Sequence, residues 1–160
     1  MKANNFAVSR EERRFEDYVA GAVYEFDETA GISQEDIVNF SQVYDPQYFH
    51  LDPDLAENGP YKGIIASGAH TIALTFRLYV KNFLPGQASF GSPGLDELRW
   101  LRPVRPGDTL RLRLTIQETI PSQSKNDRGT VHSLLETINQ NDEAVMVCKC
   151  KNIIGKRRTG

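Results

Sequence analysis

Between Thr109 and Ile154 the chain runs through three stretches of strand-like residues separated by short polar gaps. The first, Thr109 to Thr119, alternates strictly, and Leu110, Leu112, Leu114 and Ile116 fall on every second position. Successive side chains of a strand point to opposite faces, so these four line one face of a sheet. Pro106-Gly107-Asp108 marks a turn before this run, and a polar turn from Ser122 to Gly129 follows it. A second run, Thr130 to Asn139, and a third, Glu143 to Ile154, flank the turn at Asn139-Gln140-Asn141-Asp142. Strands joined by such short turns pair antiparallel, as a meander. A further strand-like segment, Ser89 to Leu101, contains Leu95, Leu98, Trp100 and Leu101.

A sheet with one apolar face needs a covering layer. The segment from Ile65 to Phe83 supplies it. Its apolar residues cover most of a helical circumference, which predicts a buried helix, and Leu84-Pro85-Gly86 stops it. Upstream, Tyr18 to Phe26 is rich in aromatic and β-branched residues and predicts a first strand. Ser33 is a good N-cap, with Glu35 and Asp36 suited to a helix start. Ile37, Val38, Phe40, Ser41 and Tyr44 then repeat at helical spacing. Pro46 disfavours helical geometry at Asp45, so the helix ends there. From Gln47 to Lys62 the chain reads as irregular, with turn signals at Asp52-Pro53 and Asn58-Gly59-Pro60. The predicted class is α+β.

At 160 residues the chain is the size of one domain, and a domain this long buries roughly 70% of its unfolded surface without a staple. Residues 1–15 read as a polar leader ordered by a partner, 16–155 as the single domain, and 156–160 as a basic tail. The net charge of −2 argues against a general nucleic-acid binder. No apolar segment is unbroken enough to span a membrane, and the first fifteen residues lack an apolar targeting core. Cys148 and Cys150, two apart on one strand face, read as small apolar packing in a reducing compartment, so a cytoplasmic location is expected. Metal-ligand spacing of the C-x-x-C kind is absent.

The chemistry-bearing stretch is Asp45-Pro46-Gln47-Tyr48-Phe49-His50, followed by Ile65-Ala66-Ser67-Gly68 at the mouth of the apolar helix. Asp45 and His50 form an acid–base pair, and a helix start bearing Gly68 offers unpaired N–H groups to an oxyanion. Taken alone, Asp45 reads equally as a helix-exit turn residue, His50 as a packed or surface histidine, and Gly68 as a close-packing residue. His70 and His132 read as structural, Asp52 and Asp54 as turn residues. Arg102, Arg105 and Lys156-Arg157-Arg158 read as solvated charge, or as contacts for phosphate groups of a ligand.

The run Phe40-Ser41-Gln42-Val43-Tyr44-Asp45-Pro46-Gln47-Tyr48-Phe49-His50-Leu51-Asp52, with Ser67-Gly68 starting the central helix, resembles the MaoC-like dehydratases, or (R)-specific enoyl-CoA hydratases. The likeness extends over Leu98 to Asp108 and covers most of the chain from Tyr18 to Ile154. Many members carry Gly before the Asp and Asn-Pro after it, where this chain has Tyr44 and Pro46. Some place a Ser one to two turns into the central helix. Ungapped counting puts Phe76 there, beside Thr75, and leaves a hydroxyl partner for Asp45 open.

The resemblance implies a hot-dog fold, an antiparallel five-stranded sheet wrapped around the central helix, with an overhanging helical segment before it. It implies a hydro-lyase that interconverts trans-2-enoyl-CoA and (R)-3-hydroxyacyl-CoA by syn addition of water. Asp45 and His50 would handle the water and its protons, and the Gly68 N–H would bind the thioester oxygen. Ser67, Tyr48, Phe49 and Ile65 would contact the substrate. Coenzyme A enters only as part of the acyl-CoA substrate, with no other cofactor and no metal. A homodimer with the acyl tunnel at its interface is expected. A hot-dog thioesterase and a non-catalytic acyl-CoA-binding module are the rivals. The absence of Asp and Glu from Ile65 to Phe83 counts against the first.

Overall fold

The computed structural model describes residues 3–159; Met1, Lys2 and Gly160, at the tips of the expected leader and tail, lie outside the described residues. The strands are β1 Val23–Glu25, β2 Ala30–Gly31, β3 Leu95–Trp100, β4 Thr109–Pro121, β5 Arg128–Ile138 and β6 Ala144–Gly155. They pair antiparallel in the order β1-β4-β5-β6-β3, and β2 continues the β1 edge by pairing with Thr109 and Leu110 of β4. The alternation predicted for β4 holds: Leu110, Leu112, Leu114 and Ile116 are all buried against the helical layer. Each contributes about 1.5–3 kcal/mol by leaving water.

The helices are α1 Gln34–Tyr44, α2 Tyr48–Leu51, α3 Pro53–Asn58 and α4 Gly68–Asn82. Ser33 Oγ accepts from the Asp36 N–H at 3.0 Å while Asp36 Oδ2 accepts from the Ser33 N–H at 2.9 Å, a closed capping box that starts α1. The stretch expected to be irregular instead holds two short helices. Asp52 Oδ1 accepts from the N–H groups of Asp54 and Leu55, and Pro53 occupies the first helical position, so these residues begin a helix rather than a turn.

Two further expectations change. The central helix starts at Gly68 rather than Ile65, because Ile65 and Ala66 give their N–H groups to Phe49 O and Val104 O. It is also not buried all round. Thr71, Thr75, Leu78 and Tyr79 face the sheet, while Ala69, Ala73, Arg77 and Val80 form an exposed strip. Thr75 Oγ1 meets Thr137 Oγ1 at 2.6 Å and pins the helix to β5.

The predicted first strand shortens to Val23–Glu25. Tyr18 belongs to the core, donating its hydroxyl to Phe83 O at 2.8 Å, and Gly21 turns the chain at φ +90°. The leader lies on the body of its own chain. Phe6 stacks on Tyr24 with ring centroids 4.3 Å apart, and the Arg13 guanidinium sits 3.9 Å above Phe6. Cys148 and Cys150 are buried and unpaired, and burial pushes the Cys148 thiol up to about 11. Among the described residues, no helix is long and apolar enough to cross a membrane.

Candidate active site

The site forms where α1 ends and α4 begins. Asp45 caps α1 with its N–H on Ser41 O at 3.0 Å, and Pro46 forces the chain out of the helix. The single turn of α2 then folds back and carries His50 into the protein, where it is buried. Its Nδ1 lies 2.7 Å from Ile65 O. A carbonyl only accepts, so Nδ1 carries a hydrogen and Nε2 is the ring atom left to face the carboxylate. Nε2 lies 3.2 Å from Asp45 Oδ2. The five-residue offset therefore brings the two side chains into direct contact.

Two more donors hold Asp45. Gln47 Nε2 donates to Oδ1 and Ser67 Oγ donates to Oδ2, each at 2.7 Å. Burial pushes the Asp45 carboxyl up, but the hydrogen bonds from Ser67 and Gln47 and the charge of a protonated His50 outweigh it. The group sits below the usual carboxylate range. Asp45 is thus ionised at neutral pH. Ser67 Oγ also accepts from the Ala69 N–H at 3.2 Å, so one buried hydroxyl caps α4 and binds the carboxylate. Asp45 thus has a hydroxyl partner, but it is the N-cap of α4, Ser67, and not a residue one to two turns into the helix. Thr75 instead donates to Thr71 O and meets Thr137, on the sheet side of the helix.

Gly68 is the first residue of α4, so no acceptor within the helix is available to its N–H. It is a glycine for a reason the sequence did not expose. A Cβ built there would lie 2.4 Å from Cε2 of Trp100, whose Nε1–H donates to Gly68 O at 3.2 Å. The close neighbour is an indole of β3.

These groups open onto a cleft of about 620 Å³. Asp45, Gln47, His50 and Gly68 line its polar side, with Ile65 and Ala66 beside them. Trp100, Leu101, Pro103 and Val104 supply apolar wall. Ser67, Tyr48 and Phe49, expected to contact substrate, do not line it: Ser67 is fully buried with its hydroxyl on Asp45, and Phe49 is wedged behind His50, edge-on to Tyr48, Tyr61 and the imidazole. Sequence reasoning passed over Gln47 and Trp100. Gln47 stands inside the quoted motif, and Trp100, the single tryptophan, sits in a strand end where its exposure had no sequence signal.

His70, on the first turn of α4, stacks on Phe40 with centroids 4.3 Å apart, and His132 lies 3.7 Å from Glu118 on β4. Arg102 stands in the cleft wall, whereas Arg105 is spent on the carbonyls of Ile64 and Tyr61. Lys156, Arg157 and Arg158 line a different groove with Gln87 and Phe90, and Arg157 pairs with Asp17 at 2.7 Å.

Comparison with known proteins is consistent with this geometry. The chain is 32% identical over 133 residues to the uncharacterized protein YdeM of Bacillus subtilis, covering 82% of this chain and 92% of that one. It superposes on a MaoC-like dehydratase from Rhodospirillum rubrum at TM-score 0.85 and 34% identity, over 92% of this chain and 99% of the other. The unliganded (R)-hydratase PhaJ1 of Pseudomonas aeruginosa matches at TM-score 0.72 and 26% identity, over 91% and 86%. A double hot-dog protein of Mycobacterium tuberculosis, 18% identical, matches at TM-score 0.75 over 96% of this chain but 48% of its own, which bears on the fold alone. The expected hot-dog fold is therefore present. The model of the MaoC like domain matches residues 16–139, and the chain belongs to this MaoC-like dehydratase family.

Proposed function

We propose that the protein is a hydro-lyase that adds water to trans-2-enoyl thioesters to give (R)-3-hydroxyacyl thioesters, and runs the reverse dehydration. One observation carries this reading: Asp45 Oδ2 and His50 Nε2 meet at 3.2 Å in an open cleft, beside the first N–H of α4. The thioester oxygen accepts from Gly68 N–H at the positive end of the helix, where negative charge develops as water adds to Cβ. Such a donor contributes on the order of 10²–10³-fold in rate.

Asp45, held ionised by Ser67 and Gln47, takes the proton of the attacking water. His50 holds that water and, with Nε2 protonated, delivers a proton to Cα on the same face. The proton on Asp45 then crosses to Nε2 through their direct contact, restoring the pair. One C–O and one C–H bond form while the C=C π bond, one O–H bond of water and the Nε2–H bond of His50 break, and the addition is redox-neutral overall, so it calls for no redox cofactor. The likeness to an (R)-hydratase, PhaJ1, supports hydration and the hand of the product. The lack of any Asp or Glu on α4 disfavours a thioesterase that takes its carboxylate from the central helix.

The assembly that fits is a homodimer joined along the outer edge of β3, the terminal strand of the sheet order, since an open edge invites pairing. Buried free thiols fit a reducing, cytoplasmic setting.

Adding purified protein to crotonyl-CoA and longer trans-2-enoyl-CoAs, and following loss of the conjugated thioester absorbance, tests the assignment. Loss in wild type that vanishes in Asp45→Asn, without free thiol, is the expected result. Release of free thiol means a thioesterase, and binding without turnover means a non-catalytic acyl-CoA module. Sedimentation or light scattering checks the dimer.

A further inference from the structure

We propose that the indole of Trp100 is the platform on which the planar enoyl group lies, so that water reaches the double bond only from the Asp45–His50 side. This rests on the hydratase reading of the cleft and adds the group that holds the acyl part of the substrate.

Trp100 is the only tryptophan of the chain and is 56% exposed, next to Leu101 at 52%. Together they form an apolar patch on the cleft wall, the kind of surface that a ligand or a partner strand covers. The indole is nevertheless fixed in place. Its Nε1–H is bound to Gly68 O, and its Cε2, Cζ2 and Nε1 fill the space that a side chain at Gly68 would take, all within 2.7 Å of a Cβ built there. One edge of the ring is docked on the helix start, and the ring contributes to the cleft wall.

The start of α4 places this wall relative to the acid–base pair. The Ser67 side chain reaches Asp45, and the side-chain direction of the next residue, Gly68, runs into Trp100. Carboxylate and indole therefore flank the first turn of the helix. A thioester carbonyl bound at Gly68 N–H lies between them. The conjugated atoms from that carbonyl to Cβ are coplanar, and a flat conjugated group stacks on an aromatic face. Stacking covers one face of the double bond and leaves the other to water, which makes the addition selective for one hand. Leu101, Pro103 and Val104 extend the apolar side of the cleft.

Because Trp100 is the sole tryptophan, its emission reports on the platform directly. Asp45→Asn is titrated with crotonyl-CoA, and wild type with the unreactive butyryl-CoA, with free CoA as the control. Binding is measured in parallel by calorimetry. The expected result is a saturable emission change with both acyl thioesters and little with free CoA. In turnover assays Trp100→Ala raises KM about ten-fold and Trp100→Phe, which keeps an aromatic face, about two-fold. Acyl thioester binding with unchanged emission overturns the proposal, as does an unaltered KM in both variants. If wild type hydrates nothing, the hydratase reading falls. An emission change on acyl binding then still supports Trp100 as the acyl platform, and binding without one overturns it. If no thioester binds, both fall.

Discussion

The two ends of α4 are built for opposite purposes. At its C-terminal end the last carbonyls are sealed by the N-terminal arm. Arg13 Nη1 donates to Asn82 O at 2.6 Å and Phe83 O at 3.2 Å, Arg10 Nε donates to Leu84 O at 3.1 Å, and the Tyr18 hydroxyl also reaches Phe83 O. Phe6, Tyr18, Tyr24 and Phe83 close the end with a cluster of rings. Positive side chains there also oppose the negative end of the helix dipole. At the N-terminal end the first N–H faces a cleft, the neighbouring carboxylate is held charged, and an indole is left half covered. At one end the last carbonyls are capped by side chains of the same chain; at the other, capacity is kept for a ligand. One helix thus divides the molecule into a stability end and a chemical end.

Changes at the chemical end should move rate, and changes at the sealed end should move stability. The largest effect is expected from Asp45→Asn, which removes the base while keeping the shape. Turnover of an enoyl thioester should fall by about 10²–10⁴-fold with the melting temperature nearly unchanged. A large loss of stability instead would make Asp45 a structural residue.

Gly68→Ala comes next. The added methyl collides with the indole, which should displace the oxyanion donor and cost on the order of 10²-fold in kcat/KM, with about 1–3 kcal/mol of stability. In a Trp100→Ala background the collision is gone, so the stability loss from Gly68→Ala should shrink. An equal loss in both backgrounds would mean that Trp100 is not what makes position 68 a glycine.

At the sealed end, Arg13→Ala should remove about 2 kcal/mol, the scale of a charged donor lost from backbone carbonyls. That corresponds to about 4–8 °C in melting temperature for a chain of this size. KM and kcat should stay close to wild type, since Arg13 is remote from the cleft. A parallel fall in kcat measured at low temperature would join the two ends and break the comparison.

The subtlest change is Ser67→Ala. Removing its hydrogen bond raises the Asp45 pKa, and Asp45 must be ionised to act. The acid limb of the rate profile therefore moves to higher pH. The same shift bears on stability. An Asp held below its unfolded value contributes stability above that unfolded value and loses it as pH falls through the folded one. Ser67→Ala should shrink this contribution, which acid titrations followed by circular dichroism would read.

How much could be read in advance depended on the range of the interactions. The sheet meander, the Ser33 N-cap and the end of α1 at Asp45 are local matters, settled by alternation, a single cap and a single proline. So are Asp45 and His50, since five residues suffice to describe a helix exit and one turn back. What stayed hidden came from residues far apart in sequence. The start of α4 moved to Gly68 because Val104 and Phe49 claim the preceding N–H groups. The first strand shortened because Tyr18 binds Phe83, 65 residues on. Phe49 left the cleft because Tyr48, Tyr61 and His50 enclose it.

Gly68 shows the division most plainly. The sequence by itself determined that a small residue stands at the mouth of an apolar helix, downstream of an acid–base pair. Only the tertiary structure decided why it is small, because Trp100, 32 residues away, docks there from the edge of the sheet. Propensity and pattern act over one turn or one strand, whereas the shape of a cleft depends on which distant surfaces the fold brings to the same helix end.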